Sequence, residues 1–169
     1  TFFPARLALL ASLVALSAPA LAIEAFSADY QATAMGMQGD GKVVISAQPN
    51  NRWQYAMTVK NQLVDLSQKT IFDEQKTWLR PISSSDLSRL LVKKVAVNTN
   101  FDWTKNQATW TGDVKPERAG PVTLKTGDMD ALLVNMAIVR DLAAGRPLTY
   151  RLVENGRVMR IVGVMQDID

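Results

Sequence analysis

The sequence contains no cysteine and no histidine. Lacking Cys, the chain can form no disulfide, thiol nucleophile or thiolate metal site. Lacking His, it has neither the commonest general base nor the commonest transition-metal ligand. Charge of one sign is also scarce, with 19 Lys and Arg against 16 Asp and Glu in 169 residues, and only Lys93-Lys94 sit side by side. So small and scattered an excess argues against nucleic acid as a partner. Nowhere is there an uninterrupted apolar run of the ~20 residues that a membrane-spanning helix needs. The chemical repertoire is narrow, while a hydrophobic content of 47% is that of an ordinary folded domain.

The N-terminal stretch is a secretory leader by pattern. Residues 1–22 carry one basic residue, Arg6, then an apolar run from Leu7 to Leu16, a Pro19 breaker and Ala20-Leu21-Ala22. Small-x-small is what signal peptidase reads, so cleavage before Ile23 is expected. The rival, a retained membrane anchor, needs about twice that apolar length. Cleavage leaves 18 basic residues against 16 acidic ones, a net charge of about +2. A secreted chain without disulfides points to the bacterial periplasm. The mature part, residues 23–169, is long enough for one domain and short for two.

Alternation of period two, the mark of half-buried strands, recurs along that part. Phe26, Ala28, Tyr30, Ala32 and Ala34 share one side; Trp53, Tyr55, Met57 and Val59 share another; Val95, Val97, Thr99 and Phe101 a third. Further strands are expected over Lys42–Ala47, Leu63–Asp73, Leu91–Phe101, Gln107–Gly112, Val122–Lys125, Leu148–Val153 and Arg157–Val164. Gly36, Gly39 and Gly41 suggest a loop, but no helix follows to present N–H groups to a phosphate, so a plain hairpin is the reading. Asn155-Gly156 between alternating segments is the strongest hairpin signal in the chain. The run Ser83-Ser84-Ser85-Asp86-Leu87 reads as a capped helical turn. With no Ser-x-x-Lys or Gly-x-Ser-x-Gly motif, those serines are not read as nucleophiles. Asn98, Asn100 and Asp102 imitate the start of a calcium loop, yet Trp103 and Thr109 stand where Gly and Glu are required.

One long helix is expected, from Asp128 to Gly145, with Thr126 or Asp128 as its cap and Pro147 blocking continuation. Met129, Leu132, Met136, Val139 and Ala143 form one ridge, flanked by Leu133 and Leu142, and Val134 and Ile138 a second. So narrow a polar stripe predicts a helix buried on two sides.

Taken in order, Phe26-x-Ala-x-Tyr30, Trp53-x-Tyr55, Leu79-Arg80-Pro81, Phe101-Asp102-Trp103, Gly127-Asp128-x-x-Ala-Leu-Leu, Ala-Ala-Gly145 and Tyr150 followed by Gly156 resemble the DUF3108 family of bacterial envelope proteins over about Phe26 to Val164. The resemblance implies a β-rich, partly open barrel holding one helix, and it supplies no catalytic residues. It also implies a further strand or two past the last hairpin, so the chain is expected to be truncated at its C-terminus.

Together these readings predict a mostly β protein: a curved antiparallel meander of about ten strands, a partly open barrel, with one apolar helix packed in or against it. The expected function is non-enzymatic, a periplasmic binding or carrier module for a small apolar or amphipathic, lipid-like ligand, without cofactor or metal. Its pocket candidates are Trp53, Tyr55, Trp110, Leu132, Met136 and Val139. The alternative is a protein-interaction module of the cell envelope, docking through a sheet edge or the Arg80–Ser88 segment. Third comes an enzyme using Asp102 and Asp128 as acid and base.

Overall fold

A computed structural model describes residues 22–34 and 36–164. The expected leader, residues 1–22, lies outside them except for Ala22. Eight strands follow one another as a meander: β1 (Phe26–Ala34), β2 (Met37–Gln48), β3 (Arg52–Lys60), β4 (Val64–Glu74), β5 (Leu79–Leu90), β6 (Lys93–Asp102), β7 (Gln107–Gly112) and β8 (Val122–Thr123). Every neighbouring pair is antiparallel, and they build one curved, open sheet in sequence order. A short 3-10 turn, Pro116–Arg118, precedes β8. After it come β9 (Asp128–Met129), the helix α1 (Ala131–Ala143), β10 (Thr149–Glu154) and β11 (Arg157–Val162). The last three strands form a second sheet in which β10 pairs antiparallel with β11 and parallel with β9. Among the described residues the eight-stranded sheet does not close into a barrel.

Directly opposed residues share a face, so the register identifies what lies on the inner side. One row runs Phe26, Ile45, Tyr55, Thr70, Ser84, Thr99 and Trp110 across seven strands. Its middle is polar and its two flanks are apolar. Accordingly the core divides. The larger part gathers Tyr55, Phe72, Trp78, Leu79, Leu132, Leu133, Val134, Ala137, Tyr150 and Leu152; the smaller holds Phe101, Ala108, Trp110, Leu124 and Val153.

Several local expectations are corrected. The run Ser83–Leu87 is not a helical turn but the middle of β5, because it is paired on both sides, with β4 and with β6. Capping chemistry is local and weak; two flanking ladders override it. The Arg80–Ser88 segment is therefore strand rather than a free loop. Between Ile71 paired with Ser83 and Phe72 paired with Pro81, residue Ile82 is extra, a bulge at the place where proline's missing N–H is tolerated. The glycine loop shrinks as well, since β2 already begins at Met37 and takes in Gly39 and Gly41.

Gly41 has a specific steric duty. It sits opposite Tyr30, and a Cβ there would lie 2.1 Å from the Tyr30 ring, whose hydroxyl donates to the Thr58 carbonyl at 3.2 Å. Gly41→Ala should therefore displace the ring and lose that hydrogen bond, lowering stability by about 1–3 kcal/mol in urea unfolding. The double variant Tyr30→Ala/Gly41→Ala should show a non-additive, smaller sum.

The helix is shorter than expected at both ends. Asp128 and Met129 belong to β9, and the N-cap is Asp130, whose carboxylate accepts from the Leu133 N–H at 3.0 Å. Its buried face carries Leu132, Leu133, Val134, Ala137 and Asp141. Val139 and Leu142 are instead 70% and 50% exposed, so the helix is covered on one side and open along the other. At its far end Gly145 takes a positive φ of 65°, as the sequence leads one to expect.

Candidate functional site

Beside the open flank of α1 lies a groove of about 530 Å³ between the helix and strands β1 to β3. Its walls are apolar, formed by Phe26, Val43, Ile45, Tyr55, Leu79, Met136 and Val139, with Ile23 at one end. Glu24, Glu74, Asn135 and Arg140 are its polar lining residues. The construction follows from the pairing: Phe26, Ile45 and Tyr55 are successive members of the inner-face row, and Val43 is in the next. Volume and lining both fall in the range of small-molecule sites.

Three of the six pocket candidates, Tyr55, Met136 and Val139, meet in this groove. The other three do not. Trp53 is half-buried against the main core two residues before Tyr55. Leu132 is 4% exposed and points under the helix rather than along its open side. Trp110 shares the inner-face row with Tyr55 but stands four strands away, roughly 19 Å at the usual strand spacing, in the second core. A shared face in sequence periodicity says nothing about lateral separation; only the strand order does.

A second groove, of about 620 Å³, opens on the other side of Arg140. It is more polar than the first, with Thr77, Thr126, Asp141, Tyr150, Arg151 and Arg160 along its walls together with Arg140, but Trp78, Met129 and Val158 line it as well. Arg140 thus lines both. Asp141, 6% exposed, anchors this region. It accepts from Arg140 Nε at 2.9 Å, from Arg146 Nη2 at 2.7 Å and from the Tyr150 hydroxyl at 2.9 Å. Burial opposes its charge, but those bonds from Arg140, Arg146 and Tyr150 together hold its carboxyl below the ordinary value. Burial, then the bond to Asp141, pushes Tyr150 up to about 12. Asp128 is wholly buried, with Arg151 Nε 2.7 Å from its Oδ1. The two atoms are in ionic contact without the alignment of a hydrogen bond. Burial raises the Asp128 carboxyl in spite of the Lys125 N–H and Arg151.

Under the helix N-terminus three carboxyls converge on the polar middle of the sheet. Asp130 accepts from the Thr70 hydroxyl; Asp86 and Glu154 line the same recess with Gln68, Ser84 and Thr99. The recess holds about 10 Å³ of free space, room for no more than one water and for no organic ligand. Burial pushes Asp130 up to about 6, and the neighbouring Asp86 adds to it. Glu154 is raised by burial, then by Asp86 and Asp130; Asp86 is raised by burial against its bond with Gln68.

A raised carboxyl gives the fold a stabilising term that is complete below the unfolded-state value near 4 and is lost as pH climbs through about 6. The folded state holds the proton more tightly than the unfolded chain in that window, so stability must fall as pH rises across it. Asp130→Asn keeps a competent cap and removes the titration. Denaturant midpoints measured from pH 4.5 to 7 should slope downward in the parent and be markedly flatter in the variant. An identical slope in both would contradict this placement of the proton.

The two carboxyls considered from sequence as acid and base each have partners within the fold. Asp102 sits at the end of β6 and closes a turn, accepting from the Thr104 hydroxyl at 2.6 Å and the Thr104 and Lys105 N–H groups. These bonds, the Thr104 hydroxyl first, lower its carboxyl. Asp128 is tied to Arg151 and the Lys125 N–H. Among the described residues no set of three or more Asp and Glu is arranged to hold a metal ion, and no helix is long and apolar enough to cross a membrane. Comparison of the chain with family models, with curated proteins and with solved structures finds no match.

Proposed function

We propose that the protein is a non-enzymatic binding or carrier module whose groove between β1–β3 and α1 receives the hydrocarbon part of a small amphiphile. The observation that carries this reading is the open apolar groove of about 530 Å³, lined by Phe26, Val43, Ile45, Tyr55, Leu79, Met136 and Val139. Exposed apolar side chains on a helix flank are costly unless something covers them, and here they face an apolar wall across an empty space. Arg140 supplies a natural polar end. Arg140 lines both grooves and is held by Asp141, with Arg160 and the Asp128-paired Arg151 in the wall of the second. A ligand with an acyl chain and an anionic head fits that polarity. The leader pattern in residues 1–22 supports a periplasmic setting for such a carrier, as does the resemblance to envelope proteins.

Titration with a fluorescent fatty-acid analogue tests the proposal. Saturable one-to-one binding is expected, weakened at least about tenfold by Val139→Asp, since charge would then face the hydrocarbon. Val139 is 70% exposed, so the variant should fold normally. Arg140→Gln should weaken the acid more than the matching fatty alcohol. Unchanged affinity in Val139→Asp would remove the groove from consideration.

A further inference from the structure

The other end of the sheet carries a feature that the groove does not explain. At the turn between β5 and β6, Leu90, Leu91 and Val92 are 44%, 58% and 98% exposed. Leu63, 36% exposed in the adjacent turn between β3 and β4, lies against them, with the Leu91 N–H donating to the Leu63 carbonyl at 2.8 Å. That second turn is itself fixed. The Asn61 side-chain oxygen accepts from the N–H groups of Leu63 at 2.9 Å and Val64 at 2.8 Å. The result is a firm, convex, aliphatic tip, with Leu66 further up the sheet on the face of Leu90 and Leu87 on the opposite face, 37% and 38% exposed.

Backbone conformation makes the choice of residue at the tip informative. Five non-glycine residues among those described have positive φ; four are asparagines, and the fifth is Leu91 at 55°. Asn tolerates that conformation and solvates well in a turn, whereas Leu does neither. Leu91 therefore brings backbone strain and exposed hydrocarbon to a position where the fold itself would be served better by Asn.

Cations surround the tip. Lys93 and Lys94 follow Val92 directly and are exposed. Arg89 and Lys60 flank it, their side chains 56% and 66% exposed, and both share Asp65, at 3.6 and 3.9 Å. Asp40, on β2, stands directly opposite Lys60 in the same cross-strand row as Asp65 and Arg89, while Asp113, which accepts from the Ala96 N–H, lies further back. Four basic groups against two acidic ones, Asp65 and Asp40, leave this end locally positive.

We propose that the Leu90–Val92 turn, with Leu63 beside it, docks the protein on an anionic lipid bilayer, the aliphatic side chains entering the interface while Lys60, Arg89, Lys93 and Lys94 meet the headgroups. A convex aliphatic tip needs no shape complement in a bilayer, and ringing cations add attraction to acidic lipid. Protein hot spots, by contrast, favour aromatic anchors and fitted pockets, and this tip has neither. Leu79 in the groove and Leu90 at the tip are opposite ends of β5, roughly 35 Å apart at ~3.3 Å per residue, so docking leaves the groove unobstructed. This surface stands whether or not the groove carries a lipid.

Flotation of the full chain with vesicles tests it, comparing phosphatidylcholine alone with phosphatidylcholine containing phosphatidylglycerol, at low and high salt. The expected result is binding to the acidic vesicles that weakens with salt. Leu91→Asn/Val92→Ser should reduce it at least about tenfold, with a melting temperature unchanged or higher because Asn suits the turn. Lys93→Gln/Lys94→Gln should weaken binding and flatten its salt dependence. Absence of binding to acidic vesicles, or equal binding by parent and tip variant, overturns the proposal. So does a parent that sediments as a dimer and a tip variant that is monomeric, for then a second copy covers the tip.

Discussion

Phe72→Ala should lower the unfolding free energy by about 3–5 kcal/mol, the largest loss expected from any single truncation in this fold. Phe72 is 0% exposed and lies where strands, bulge and helix meet. It pairs in register with Trp53 on one side and Pro81 on the other, next to the extra residue Ile82, and shares the main core with Leu133, Leu79 and Trp78. Trp103 braces the same corner, stacking edge-on against Trp78 at a centroid distance of 5.0 Å and donating its ring N–H to the Pro81 carbonyl at 2.7 Å. With the bulge fixed in this way, the walls cannot collapse inward to fill the void, so the cavity penalty is retained in full. Urea unfolding should show a lower midpoint with an unchanged slope. Leu142→Ala, at a site 50% exposed on the open side of α1, should change stability by no more than about 0.5 kcal/mol.

Asp141→Ala should be nearly as costly, by about 3 kcal/mol. One buried carboxylate here satisfies two guanidiniums and a phenol, all within the segment from α1 to β10. Removing it strands the Tyr150 hydroxyl, 7% exposed, and releases Arg140 from its fixed direction; Arg146, whose side chain is 52% exposed, can rehydrate, which keeps the loss near the low end for buried ion pairs. Because the folded-state carboxyl lies below its ordinary value, its stabilisation is present above the unfolded value near 4 and is lost as pH falls further. The acid limb of the stability profile should thus be shallower in Asp141→Ala than in the parent. If Arg140 also orients an anionic head, the variant loses discrimination between fatty acid and fatty alcohol at a protein concentration and pH where it remains folded.

How much of this was readable from residue order varies with the range of the interaction responsible. The β10–β11 hairpin follows from Asn155 and Gly156, whose φ values of 51° and 68° are those the two-residue turn requires, and this is a purely local matter. The strands around Tyr30, Tyr55 and Val97 were visible because one face of each is buried. The serine run in β5 was not, since its strand character comes from β4 and β6, both distant in the chain before folding. For α1 the period reveals a helix and its Gly145 terminus, but points to Thr126 or Asp128 as the cap, whereas the cap is Asp130, sunk onto Thr70. Charged side chains buried by a hydroxyl or a guanidinium look identical in sequence to solvated ones. The same limit applies to the site: Tyr55, Met136 and Val139 were legible as large apolar groups on the right faces, whereas the part played by Arg140 depends on two grooves meeting at one side chain. The exposed Leu91 and Val92 were hidden inside an expected strand, Leu91–Phe101, that in reality begins at Lys93.

Native mass spectrometry of the full chain incubated with oleic acid asks directly whether the groove beside α1 holds the hydrocarbon of an amphiphile. A single added ligand mass is expected on the parent, disappearing in Val139→Asp, with both proteins equally folded. An unliganded mass alone for the parent, or an equal adduct on parent and variant, would contradict binding in the groove.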